Sequence, residues 1–118
     1  MKKIQFAVTA ISISLCFPAF GKWLSTHGTV TSITTYGHTN TILVDLSDQG
    51  ANIAECTSKT TFAISSNLDP EARSRMYSML LTAKASGKPV TVSYNDVGGC
   101  EPWDQNINVY RRIVRLSH

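Results

Sequence analysis

The interval between Cys56 and Cys100 constrains this chain more than any other feature. It holds an extended run ending in Phe62 and Ile64, a helix bracketed by Asp69 and Gly87, and the run Val90-Thr91-Val92-Ser93-Tyr94. Two extended runs precede the interval and one long run follows it. The order strand, strand, strand, helix, strand, strand is compatible with a small five-stranded Greek-key barrel, mainly β with one helix.

What each cysteine can do depends on where the chain is delivered. Met1-Lys2-Lys3 is basic, Phe6 to Phe17 is apolar, and Ala19-Phe20-Gly21 places small residues just before Lys22. This pattern reads as a secretory signal peptide over residues 1–21, cleaved after Gly21. About 14 apolar residues fall short of the roughly 20 that span a hydrocarbon core, so no membrane span is expected. Leu15 occupies the place where a lipoprotein signal at Cys16 needs a small residue. A single domain over residues 22–118 follows, in the periplasm or secreted.

Removing the leader takes Cys16 away and leaves Cys56 and Cys100. An even pair in a small exported domain reads as a disulfide. Closing a loop of this length is worth about 4 kcal/mol through the chain entropy it removes. The alternatives, a reactive thiol or a metal pair, have no histidine near either cysteine to support them. Lys2 and Lys3 also leave, so eleven basic residues become nine against eight acids, and the formal charge falls from +3 to +1. A near-neutral exported domain is not expected to bind nucleic acid. Arg111, Arg112 and Arg115 then read as a charged solvent face or a subunit contact.

The helix is the best-marked element. Asp69 suits the N-cap, Pro70 the first turn, and Gly87 the stop. Ala72, Met76, Met79, Leu80 and Ala83 form one apolar stripe, with Leu81 nearby. Thr29 to Tyr36 reads as the first strand. Its large side chains Val30, Ile33 and Tyr36 recur every third residue, so a bulge is expected between Val30 and Ile33. Thr41 to Leu46 alternates cleanly, and the third strand is placed from Glu55 to Ser65. Lys22 to Gly28 reads as a polar lead-in and Asp96 to Asp104 as a loop. The last strand, Ile107 to Leu116, slips phase near Arg111-Arg112, where an irregularity is expected.

No catalytic signature emerges, and the reading is of a protein that is not an enzyme. His27, His38 and His118 lack the spacing of a metal site, and no metal or cofactor is expected. Trp23 and Trp103 fall outside the main strands, where ring faces beside hydroxyls and amides suit a sugar. Ser25, Thr26 and His27 lie beside Trp23, and Asp104, Gln105 and Asn106 beside Trp103.

A leader, a mature start at Lys22-Trp23, a threonine-rich first strand, a cysteine ahead of the third strand, a helix and Ser86-Gly87-Lys88-Pro89-Val90-Thr91-Val92-Ser93-Tyr94 follow one another. The arrangement resembles the binding subunits of pentameric A–B toxins, of the subtilase cytotoxin and typhoid toxin type. In those subunits the helix likewise runs through a glycine turn into a valine-rich strand. The resemblance implies an OB-fold, a homopentameric ring with its helices around a central pore, recognition of cell-surface glycans, and a separately encoded catalytic A subunit. Those relatives hold sialic acid with a serine at the start of the first strand. Here the matching stretch is Ser25-Thr26-His27-Gly28, with His27 nearest that position; Ser25 or Thr26 could substitute, and the departure puts sialic acid itself in question as the ligand. The single cysteine pair and the shorter chain also depart from the relatives' pattern. The carbohydrate contacts expected are Trp23, Ser25, Thr26, Tyr36, Trp103 and Gln105. The alternative is a monomeric periplasmic OB-fold protein that binds a protein partner, as an inhibitor or envelope accessory does.

Overall fold

The first strand does not start where the β-branched residues start. In the computed structural model, which describes residues 22–118, strand β1 occupies Trp23–Gly28, the stretch expected to be a lead-in. The expected leader lies outside the described residues. Strand β1 pairs in unbroken antiparallel register with Val90–Asn95, from Trp23 opposite Asn95 to Gly28 opposite Val90. The inward positions of β1 are Leu24, Thr26 and Gly28, of which only half-buried Leu24 is a large apolar residue, so no apolar alternation marks it. Thr26 is tolerated inside because its hydroxyl meets the Tyr94 hydroxyl at 2.7 Å.

After Thr29 the chain continues as β2, Val30–Thr35, which pairs with β3, Ile42–Leu46. The register shifts between Val30 and Ser32, so the bulge read from the threefold spacing is present. Strand β4 covers only Thr61–Ile64 rather than Glu55 to Ser65. Upstream of it Cys56 is bonded to Cys100, with Cα atoms 5.6 Å apart. Lys59 Nζ donates to the carbonyls of Ile53 and Cys56, each at 2.9 Å. Those ties turn residues 53–59 away from β3 and delay the strand.

Helix α1, Pro70–Ser86, has the ends its sequence announces. Asp69 Oδ1 accepts from Ala72 N at 2.8 Å, and Gly87 stops the helix in the left-handed region and donates to Ala83 O at 2.9 Å. Leu80 and Ala83 are buried, Met76 packs against the core, and Leu81 is exposed. Lys84 Nζ reaches Thr31 O at 3.3 Å and so ties the last turn to β2.

Strand β5, Val90–Asn95, leads to β6, Cys100–Trp103, inside the segment expected to be a loop. Strand β6 is short and lies at a sheet edge, where Pro102 removes no ladder bond that a neighbour needs. It forms a hairpin with β7, Asn106–Arg112, and β8 closes the chain at Arg115–Ser117. The irregularity expected near Arg111-Arg112 is the break between β7 and β8. There Ile113 N donates to Ala63 O at 2.9 Å and Val114 N to Ser93 O at 2.8 Å, so adjacent residues bond to different sheets.

Among the described residues the eight strands fall into two sheets, neither of them a closed barrel. One is three-stranded, β1-β5-β8, and the other five-stranded, β2-β3-β4-β7-β6. All neighbours are antiparallel except β4 and β7, which are parallel. The core lies between sheets and helix and contains Val30, Val44, Leu46, Phe62, Ile64, Leu80, Val90, Val92, Tyr94 and Ile113.

The arginine group needs a further correction. Arg111 is 1% exposed, so it is not on a charged solvent face. Its guanidinium lies 3.9 Å from the Phe62 ring centroid, and its Nη atoms donate to the carbonyls of Gln49, Ala51 and Lys59. Burial pulls its pKa down, and the neighbouring Tyr94 opposes that. Arg112 turns to the other face and donates through Nε to Glu101 Oε2 at 2.7 Å.

Candidate functional site

The sheet face opposite the core mixes buried Leu43 and Ala63 with polar positions, and its register can be read across four strands. Thr34 stands opposite Leu43, Leu43 opposite Ala63, and Ala63 opposite Arg112. The neighbouring row is Ser32, Asp45 and Thr61. Since alternate residues of a strand share a face, Tyr110 joins Arg112 on this side, and its partner Glu101 joins it from β6.

Asp45 stands in the middle of this face. It accepts from Ser32 Oγ at 3.1 Å and from Thr61 Oγ1 at 2.6 Å. Glu101 lies deeper and is 0% exposed. Its Oε1 accepts from Ser66 N at 3.2 Å, Ser66 Oγ at 3.0 Å and Thr41 Oγ1 at 3.5 Å, and its Oε2 takes Arg112. Burial pushes the Glu101 carboxyl up. The Ser65 hydroxyl, Arg112 and the Ser66 backbone and hydroxyl outweigh burial and hold the carboxyl below its ordinary value.

An aromatic cluster rims the face. Tyr36 follows β2 and Trp103 ends β6, the two opposite edges of the five-stranded sheet. Their ring centroids are nevertheless 5.0 Å apart, at 64° between planes. The sheet curls far enough to bring both edges together at this end. His38, from the β2–β3 turn, packs edge-on against both rings, 5.8 Å from Tyr36 and 5.7 Å from Trp103. Tyr110 meets Trp103 at 5.7 Å and 81°. Perpendicular contacts of this kind are favoured by the ring quadrupoles. The Tyr110 phenol is pushed up first by burial, then by Tyr36, Asp45 and Asp104. Asp104 and Gln105 form the exposed turn between β6 and β7, where Asp104 takes a φ of 52°. Asp104 Oδ1 is 3.9 Å from His38 Nε2.

Of the residues expected from the sequence, Tyr36 and Trp103 are brought into contact and Gln105 lies in the turn directly after Trp103. Trp23, Ser25 and Thr26 are on the other sheet. Trp23 is 58% exposed opposite Asn95, Ser25 Oγ shares a 2.9 Å hydrogen bond with Ser93 Oγ, and Thr26 is buried on Tyr94. Sequence reasoning missed His38, Asp45 and Tyr110 as members of the cluster. One trace was available: Trp103 and Tyr110 flank a turn between two short runs, as cross-strand aromatics do.

Partly exposed rings can cover the apolar side of a pyranose while a carboxylate, an imidazole and an amide beside them hydrogen-bond its hydroxyls. Among the described residues no group of three or more His, Cys, Asp or Glu is placed to hold a metal ion. No described helix is long and apolar enough to cross a membrane. Comparison with protein-family models, with curated proteins and with solved structures finds no match to this chain.

Proposed function

We propose that this is an exported, non-enzymatic binding module of the toxin B-subunit kind, which recognises cell-surface glycans through the Tyr36–Trp103 cluster. The observation that carries this reading is the meeting of an exposed tyrosine and a half-buried tryptophan from opposite sheet edges, above a face that carries hydroxyls and the Asp45 carboxylate.

The fold belongs to the same proposal. Thr29 alone separates β1 from β2, and Ile113-Val114 alone separates β7 from β8. Taken as two bent strands, they make the pairings run β1/β2, β3, β4, β7/β8, β5 and back to β1. That circuit is what a five-stranded OB-fold barrel requires, with β6 added as a hairpin flap. On this reading Tyr36 and His38 come from the loop after the first barrel strand, and Trp103 from the loop before the last. Barrels of this class bind oligosaccharides with that pair of loops.

By resemblance the assembly is a homopentamer in the periplasm or outside the cell, partnered by a separately encoded catalytic A subunit. An open depression along the outer side of α1, lined by Pro70, Glu71, Ser74, Arg75, Ser78 and Met79, suits a helix that faces a water-filled pore. A second reading, a monomer that binds a protein partner, draws on Trp23, Val97 and Ile107, exposed apolar side chains that take no part in the aromatic cluster's ring contacts.

A glycan array tests the binding function. Specific sugar binding that Trp103→Ala abolishes and Trp23→Ala preserves supports it, whereas a blank array rejects it. Native mass of the exported protein under non-reducing conditions tests the assembly: five subunits support the ring, and a monomer at micromolar concentration favours the protein-partner reading.

A further inference from the structure

The charges around the aromatic cluster are unbalanced. On this face Arg112 is engaged by the buried Glu101, and Arg111 lies on the opposite side beneath the 49–51 segment. Arg73, on α1, donates to the carbonyls of Leu68 and Asn40. Asp45 and Asp104 remain. Asp45 accepts neutral hydroxyls, and Asp104 is largely exposed next to the rings, with the His38 imidazole 3.9 Å away as its nearest partner. Burial gives the largest upward push on the Tyr110 phenol, and Tyr36, Asp45 and Asp104 add to it electrostatically.

The rings add to this bias. Tyr36, His38 and Trp103 stand pairwise at 64°, 67° and 69°, three planes meeting like the corner of a box. The negative π faces of the tyrosine and tryptophan attract a cation, and an acidic side chain at the rim reinforces them. An acidic sugar would meet like charge at the same place.

We infer that this corner selects a sugar carrying a protonated amine, a hexosamine with a free amino group, over neutral and acidic sugars. Trp103 and Tyr36 take the C–H face of the pyranose, and Asp104 takes the ammonium. The inference rests on the glycan-binding reading above and narrows it to one ligand class.

The test uses the full chain, exported and purified, with Trp23→Phe so that Trp103 alone reports by fluorescence. Three probes are titrated at low salt: a glucosamine tetramer, its fully N-acetylated counterpart, and a sialylated trisaccharide. The glucosamine tetramer is expected to bind about tenfold tighter than the N-acetylated one, the gain of one favourable charge contact beside aromatic rings. Asp104→Asn should remove that preference and leave the N-acetylated probe unaffected, because asparagine also tolerates a positive φ and keeps the turn. Glu71→Gln, on the exposed helix surface, is the matched loss of charge and should change nothing. Equal or tighter binding of the N-acetylated or sialylated probe overturns the amine preference and leaves glycan binding standing. No binding of any probe overturns both.

Discussion

The guanidinium of Arg111 lies 3.9 Å from the centroid of the Phe62 ring, in the interior, and the acceptors it reaches are main-chain carbonyls. Gln49, Ala51 and Lys59 supply them, all from the irregular connection between β3 and β4. One cation therefore helps pin this segment onto β7, where Thr57 N and Ser58 N also donate to the carbonyls of Asn108 and Val109. Arg111→Ala leaves three carbonyls without their donor and opens a void over Phe62, and should cost about 3 kcal/mol or more. Arg111→Lys should recover part of that loss, since an ammonium cannot span the same fork. Urea denaturation of the three proteins checks the order.

Gly50 makes a second, steric demand on the same segment. Its φ is +73°, and a Cβ there would stand 2.3 Å from Thr26 Oγ1 and 2.7 Å from the Tyr94 hydroxyl. Those hydroxyls form the pair that satisfies buried Thr26. Gly98 has a similar φ of +66° but open space around its missing Cβ. Gly98→Ala should therefore cost only backbone strain, about 1 kcal/mol, and Gly50→Ala clearly more. Thermal melts of the two variants separate the contributions.

Glu101 gives the fold an acid limb. Its carboxyl is held below its ordinary value in the folded protein, so its stabilisation is present above the unfolded pKa of about 4.3 and is lost as pH falls through the folded value. Glu101→Gln should be less stable than the parent at neutral pH. The gap between them should close below pH about 4. A gap independent of pH from 7 to 3 would show that the charge contributes nothing.

The Cys56–Cys100 bond joins the same irregular connection to the edge strand β6, next to the aromatic cluster. Replacing both cysteines by serine should cost about 4 kcal/mol from unfolded-state entropy. Beyond that global loss, hydrogen exchange should quicken first at residues 53–59, because Cys56 anchors the middle of that segment. Uniform acceleration across β3 and β4 would contradict this local role.

What the sequence revealed and what it hid follow from how each feature is encoded. Asp69 and Gly87 mark the helix because capping is a local contract between a side chain and the next turn. The bulge near Ser32 is written in the threefold spacing of Val30 and Ile33. Strand β1 was hidden because the positions it buries are a threonine and a glycine, whose burial depends on Tyr94 and Ser47 far along the chain. Strand β6 was hidden by Gly98-Gly99 before it and Pro102 within it. Arg111 looked like a surface charge because its partners are carbonyls, which leave no trace in side-chain identity. The site behaves likewise. Tyr36 and Trp103 could each be singled out, but their contact depends on the curl of a whole sheet. His38 looked like turn chemistry until that curl placed it between them.

That contact also yields the sharpest functional expectation. Tyr36 is 46% exposed and follows the end of its strand, so Tyr36→Ala should lower stability by less than about 1 kcal/mol. If Tyr36 and Trp103 form one ligand platform, the same substitution should weaken sugar binding at least tenfold, a normal loss for a ring stacked on a ligand. Tyr36→Phe keeps the ring and should retain most of the affinity. Trp23→Ala removes a more exposed ring from the other sheet and should leave binding unchanged. Calorimetric titration of these variants with one array-selected glycan distinguishes the two surfaces. Loss of binding in Trp23→Ala with full binding in Tyr36→Ala would move the site to the β1 side, where Ser25 and Ser93 share their hydrogen bond.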